Sequence, residues 1–265
     1  MHTQGIISDK MKSKITDGVV HYDLILDGVN LELNSLIGQS LIMEFSGVST
    51  CLHCGERKVF RQGYCFVCTQ KLPQCDFCIL SPEKCHFDEG TCRDESFAKK
   101  HCFIPHIVYL SLSSHVKVGI TRRGNEGTRW VDQGAVAGLP IYVVKDRKTA
   151  GLLEVELKSV FSDKTSWQKM LKGSPEEQSS ILEEKRFLAY EATPDWNDQR
   201  LNAELTEISY PVDEYPTKVK SYNVDKTPKI EDRLIGIKGQ YLIFSKGVLN
   251  IRKYQGYQMQ IVYSQ

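Results

Sequence analysis

Nine cysteines fall between Cys51 and Cys102 and none lies elsewhere in the 265 residues. Thiols gathered this way in a chain without a signal-peptide pattern are expected to ligate metal, because a reducing compartment disfavours disulfides. The first four are spaced Cys51-Leu52-His53-Cys54, ten intervening residues, then Cys65-Phe66-Val67-Cys68. Two Cys-x-x-Cys pairs at that separation have the spacing of a zinc ribbon, in which four thiolates close a tetrahedron and leave no open position. The chemistry implied is structural. Gly55 and Gly63 fall where the tight ligand-bearing turns need small residues.

The second group is Cys75, Cys78, Cys85, Cys92 and Cys102, with His86 and His101 close by. A tetrahedral site takes four of these five thiols, and spacing alone leaves open which one stands aside. A second zinc ion is the expected occupant, with an iron–sulfur cluster as the alternative. The histidines are read as structural or surface residues. Between the first two cysteine pairs, Arg57-Lys58-Val59-Phe60-Arg61-Gln62-Gly63-Tyr64 interleaves bases with aromatics. Such a strip either touches a nucleic-acid backbone or packs a small hairpin while its bases face water.

A different chemistry is carried by residues 107–161. Ile107 to Leu112 alternates apolar residues and predicts a strand, and Val116 to Thr121 predicts a second one. The polar turn Ser113-Ser114-His115 is short enough to pair them antiparallel, with Tyr109 and Lys117 on one face. Arg129-Trp130 follows in a helix that starts after the Gly124–Gly127 loop, and Ile141 to Val144 is a third strand. Thr149 to Phe161 predicts a helix with Leu153, Leu157 and Val160 on its apolar side and Glu154 one step round.

This ordered set resembles the nuclease domain of the GIY-YIG superfamily, which includes excision-repair, homing and restriction nucleases. Tyr109 matches the tyrosine of the first motif half, Val118-Gly119 the end of the second, Arg129 the helix arginine, and Ala150 to Glu154 the helix bearing the metal-binding glutamate. Lys117 replaces the second motif tyrosine, as in the restriction-enzyme branch, and Ser166 stands where the family carries an asparagine. The chain as a whole also resembles an uncharacterised bacterial family that joins a cysteine-rich segment to such a domain.

The residues suit phosphodiester hydrolysis on chemical grounds as well. The reaction needs a base for water, a cation for the developing charge and an anchor for phosphate. Tyr109 is assigned as base, with Lys117 lowering its pKa. Arg129 can grip phosphate bidentately. Glu154 offers a hard oxygen to one Mg²⁺ or Mn²⁺ ion, with Glu156 as the competing carboxylate.

The rest of the chain supplies the frame. Val19 to Leu26 and Ser40 to Phe45 are expected strands, Asp27-Gly28 a turn, and Met1 to Ser13 a frayed or partial strand. Ser174-Pro175-Glu176-Glu177 predicts the capped start of a helix running to Tyr190, with Ile181, Leu182, Phe187 and Leu188 inward. Ile208 onward reads as β structure, a small meander or barrel that packs with the N-terminal strands. Lys238-Gly239-Gln240-Tyr241 and Arg252-Lys253-Tyr254 set cations beside aromatics there. Net charge is +1, but nine Lys and Arg against three Asp and Glu in residues 216–265 make the tail basic and suited to phosphate.

These features predict an α+β protein: a small mixed sheet flanked by helices, a zinc-ribbon-like segment, and β-rich N- and C-terminal parts. The expected division is a β-rich scaffold at 1–50, a cysteine-rich zinc segment at 51–105, a nuclease-like domain with a trailing helix at 106–205, and a basic β-rich domain at 206–265. The function implied is a zinc-containing, metal-dependent phosphodiester hydrolase acting on nucleic acid, DNA ahead of RNA. A catalytically silent nucleic-acid-binding protein and an iron–sulfur redox or sensor protein are the alternatives. With no apolar run of membrane length, the expected location is the cytoplasm and no membrane partner is expected.

Overall fold

The computed structural model describes residues 1–162, 164–173 and 175–263. In chain order the elements are β1 (His2–Ile6), β2 (Lys12–Thr16), β3 (Val19–Leu26), β4 (Val29–Glu32), β5 (Ser40–Ser49), α1 (Phe66–Lys71), α2 (Glu95–His101), β6 (His106–Leu112), β7 (Val116–Arg122), α3 (Glu126–Asp132) and β8 (Ala137–Val144). They continue with α4 (Arg147–Leu157), α5 (Trp167–Met170), α6 (Ile181–Ala192), β9 (Thr206–Glu207), β10 (Lys229–Lys238), β11 (Tyr241–Phe244), β12 (Val248–Asn250) and β13 (Tyr257–Tyr263). The fold is α+β, with three antiparallel sheets among the described residues. Two compact units result, one from Met1–Thr69, Leu171–Gly173 and Ser209–Gln265, the other from Gln70–Met170 and Ser174–Ile208. No helix among the described residues is long and apolar enough to cross a membrane.

The first unit holds a six-stranded sheet, ordered β1-β13-β5-β10-β11-β12, and a three-stranded sheet, β2-β3-β4. In β3, Val20, Tyr22, Leu24 and Leu26 are fully buried while Val19 and His21 are exposed, the period-two pattern of a strand with one face inward. Asp17-Gly18 and Asp27-Gly28 join β2, β3 and β4 with positive φ at both turn residues, the mirror-image turn that suits tight hairpins. As expected, the tail packs with the N-terminal strands: β13 lies between β1 and β5, and β10 flanks β5 on the other side. The first thirteen residues hold the partial strand expected there, β1, and Met11 is buried with its N–H donated to Gln240 Oε1 at 2.9 Å. The partner of β1 is β13, at the far end of the chain. Strand β12 ends at Asn250, and a 3₁₀ turn over Ile251–Tyr254 carries Tyr254 into the core.

The second unit is built on the sheet β7-β6-β8-β9. Every residue of β6 is buried, as befits a central strand. Register pairs Tyr109 with Gly119 and Ser111 with Lys117, so these four share one face. Val108, Leu110, Val118 and Ile120 belong to the core into which α4 inserts Ala150, Leu153 and Leu157 and α6 inserts Leu182 and Ala189. A parallel bridge from Lys117 to Ser162 adds to the edge of β7. Helix α4 starts two residues before its expected start because Asp146 caps it, accepting the Thr149 N–H at 2.7 Å. It ends at Leu157, which leaves Val160 exposed rather than on an apolar stripe. Helix α6 begins at Ile181; Ser174 of the expected cap lies outside the described residues. Its inward side is Leu182 and Ala189, whereas Phe187 faces water with the Arg186 guanidinium over its ring.

Gly119 is a site of close approach. A Cβ there would stand 2.6 Å from the Tyr109 hydroxyl oxygen and 2.8 Å from its ring carbon Cζ. Gly119→Ala is therefore expected to destabilise the second unit by about 1–3 kcal/mol through overpacking. All three tryptophans, Trp130, Trp167 and Trp196, lie in that unit. Urea unfolding followed by tryptophan emission checks the loss, and an unchanged midpoint would contradict it.

Candidate functional site

The zinc-ribbon-like segment is assembled by a turn, a hairpin and a helix start. Cys51 and Cys54 flank a turn closed by Gly55 N–H to Cys51 O at 2.9 Å, with Gly55 at φ 68°. Arg61 and Tyr64 then form a tight hairpin over Gln62-Gly63, both at positive φ. Cys65 directly precedes α1 and Cys68 lies in its first turn, so the second pair is set by a helix rather than by a second knuckle. All four Sγ atoms lie within 4.8 Å of one another, and Cys54 and Cys65 sulfurs are 3.9 Å apart. A tetrahedron with Zn–S bonds of about 2.3 Å has an edge of about 3.8 Å. The spacing fits one zinc ion and is far too long for disulfide bonds.

Electrostatics argue the same way. Burial pushes the Cys51 thiol up, but N–H donors from Cys54, Cys65 and His53 outweigh it and bring the group to about 6. Cys68 is pushed up to about 12 by burial and by the sulfurs of Cys65, Cys51 and Cys54. Backbone hydrogen bonds from Glu56 and Arg57 likewise lower Cys54, so the fold favours two thiolates and opposes Cys68; a central dication would remove that opposition.

In the second unit, Cys78, Cys85, Cys92 and Cys102 line one pocket, and Cys75 is outside its lining. Asp76, Cys78 and His86 also stand within 4.8 Å of one another. Asp76 is already engaged, ion-paired to Arg93 at 2.9 Å and in contact with His86 Nε2 at 3.3 Å. His86 Nδ1 meets Thr91 Oγ1 at 2.7 Å. His101 contacts Arg122 at 2.9 Å.

The nuclease-like residues occupy the same unit. Tyr109 is fully buried, meets Trp130 edge to face at 5.9 Å, and donates its hydroxyl to Gln133 Oε1 at 3.1 Å. Burial raises its pKa, Arg129 opposes this by charge and hydrogen bond, and Glu154 adds to the rise. Among the charges acting on Tyr109, Arg129 is the one that favours the phenolate. Lys117 is buried on β7, on the Tyr109 face. Glu154 is mostly covered, with Lys158 Nζ at 3.7 Å. Glu156, the competing carboxylate, accepts at its Oε2 from Trp196 Nε1 at 2.9 Å.

The structure adds Arg147. It begins α4, seven residues before Glu154 and so on the same side of the helix, a spacing that could have flagged it. Its guanidinium donates to Ile79 O at 2.6 Å, and burial lowers its pKa, with the charges of Cys102, Arg129, Cys78 and Glu154 acting on it. Among the described residues, the buried Nε atoms of both Arg129 and Arg147 lack a hydrogen-bond partner. Unmet buried donors on two cations are suited to an oxyanion.

The model of a protein family of unknown function, DUF2797, matches residues 38–259. The chain belongs to this family. The matched span takes in both cysteine groups and the whole Tyr109–Glu154 region. No curated protein and no solved structure matches the chain.

Metal analysis by plasma mass spectrometry checks the first centre. Cys65→Ser is expected to lower zinc by one equivalent per chain, and lowering the pH is expected to release that ion as the thiolates protonate. Full zinc retention by Cys65→Ser would contradict the site.

Proposed function

We propose that this protein is a nucleic-acid phosphodiester hydrolase whose active site lies in the second unit and whose first cysteine cluster is a structural zinc site. The observation that supports this is that the charges of Arg129 and Glu154 act on both Tyr109 and Arg147 in the second unit, while the buried Nε atoms of Arg129 and Arg147 have no hydrogen-bond partner among the described residues. These are the residues that the GIY-YIG resemblance marks, extended by Arg147. DNA is the favoured substrate over RNA.

Arg129 and Arg147 hold the scissile phosphate and offset its growing negative charge. Glu154 fits a hard divalent ion because Mg²⁺ takes only one or two carboxylates and keeps its waters. Bound there, Mg²⁺ or Mn²⁺ supplies Lewis acidity and a more acidic water. Tyr109 receives the water proton only if Arg129 steadies the phenolate against burial, which makes Arg129 necessary twice over. On the first unit, Arg57, Lys58, Arg61 and Phe60 are exposed, and Phe60 meets the exposed Phe66 edge to face at 5.5 Å. That surface suits strand binding by charge and stacking. Lys238, by contrast, is buried between Tyr210 and Tyr215 and donates to Gly173 O at 3.0 Å, so it serves the fold instead of a nucleic acid.

A cleavage panel tests the proposal. Protein and its Glu154→Gln variant are incubated with single-stranded, duplex and branched DNA and with structured RNA, in Mg²⁺ or Mn²⁺. Cutting by the parent with a loss of at least 100-fold in the variant is expected. Equal cutting by both, or binding without cutting by the parent, would overturn it; the latter outcome favours a silent binding module.

A further inference from the structure

We infer that Cys78, Cys85, Cys92 and Cys102 hold an iron–sulfur cluster, a second metal centre of a different kind from the zinc site. Three observations carry this, all independent of the hydrolase proposal. The first is distance. The donors of the zinc site all lie within 4.8 Å of one another, yet no three of these four thiols meet that measure among the described residues. They nevertheless line a single pocket. Sulfurs on one zinc ion must stand about 3.8 Å apart. In a cluster each thiolate binds a different iron or shares an edge of a larger body, so the ligands stand further apart.

The second observation is how the chain delivers the ligands. The zinc site uses two Cys-x-x-Cys pairs, each from one turn. Here the spacing is six, six and nine intervening residues, and each thiol comes from its own turn. Cys78 lies in the 3₁₀ turn Phe77–Ile79, Cys85 follows the turn Pro82–Lys84, Cys92 comes after the left-handed Gly90, and Cys102 ends α2. Four separate turns encircle a volume. Cys75 and Cys78 form a pair in sequence, but Cys75 lies outside the pocket lining, so the pair does not act as a zinc knuckle.

The third is the wall. Between the thiols the pocket is lined by Ile79, Phe87, Phe97 and Pro73. The polar groups of the lining already have partners: Asp76 pairs with Arg93, and His86 meets Asp76 and Thr91. The four thiols are therefore the donors of the lining left for a metal centre. Such a set favours soft iron–sulfur ligation over a mixed site for a harder ion.

The full chain, purified without oxygen from iron-replete cells, tests this by iron, acid-labile sulfide and zinc content with visible absorption. Iron and sulfide in equal amounts, broad visible absorption, and an electron paramagnetic resonance signal on dithionite reduction are expected. Cys92→Ser should lose most of the iron, Cys75→Ser should keep it, and a Cys51→Ser/Cys54→Ser pair should lose zinc but keep iron. The resonance signal needs no variant, so a misfolded mutant does not remove the test. Colourless protein with two zinc ions, or protein that gains no iron and sulfide on anaerobic reconstitution, would overturn the inference. Iron retention by Cys92→Ser with loss in Cys75→Ser would do so too.

Discussion

The second unit depends on what happens at the first turn of α4. Asp146 caps the helix, and the next residue, Arg147, donates its backbone N–H to Cys102 O at 2.9 Å and its guanidinium to Ile79 O. Gly151, one turn on, lets Pro82 and Glu83 approach so closely that a Cβ would stand 2.7 Å from both. Through these contacts the cysteine-bearing turns lean on the helix that carries Glu154. A half-covered guanidinium is costly to desolvate unless its donors are met. The contact with Ile79 O meets part of that need, and the buried Nε has no hydrogen-bond partner among the described residues.

The two cysteine groups use different physics. The first closes a tight tetrahedron where the chain has few apolar residues to bury: Leu52, Phe60, Phe66 and Val67 all remain exposed. Ligation of a metal by these four sulfurs would substitute there for a core, as it does in other small metal-held segments. The second group surrounds an apolar pocket and feeds its order into α4 through Cys102. The helix that carries Glu154 and the turns that carry the later cysteines are thus parts of one packed assembly.

Much of this was legible in the sequence because the signals were local. The Cys-x-x-Cys pairs, the Asp-Gly hairpin turns, the alternation in β3, and the Tyr109, Arg129 and Glu154 series each depend on residues near one another. What was not legible depended on distant partners. β1 exists because β13 accepts it; Val248–Arg252 bends because Tyr254 has a place in the core. Arg147 escaped notice because its value comes from Ile79 and Cys102, although its seven-residue offset from Glu154 was a usable hint. The place of Lys117 on the Tyr109 face followed from the hairpin, whereas the burial of Tyr109 and the charge of Arg129 beside it come from the tertiary fold. The choice among the five later cysteines could not be made from spacing, since Cys75 and Cys78 look like a pair although only Cys78 lines the pocket.

The most direct measurement of the central claim, that Arg129 and Arg147 form an anchor for backbone phosphate, is duplex binding as a function of salt. Fluorescence anisotropy with a labelled oligonucleotide, repeated across salt concentrations, would compare the parent with an Arg129→Gln/Arg147→Gln variant. If both guanidinium groups contact phosphate, the variant binds more weakly at every salt concentration, and the slope of log affinity against log salt falls in magnitude by about 1.8. Equal affinity and equal slope in the two proteins would contradict the account.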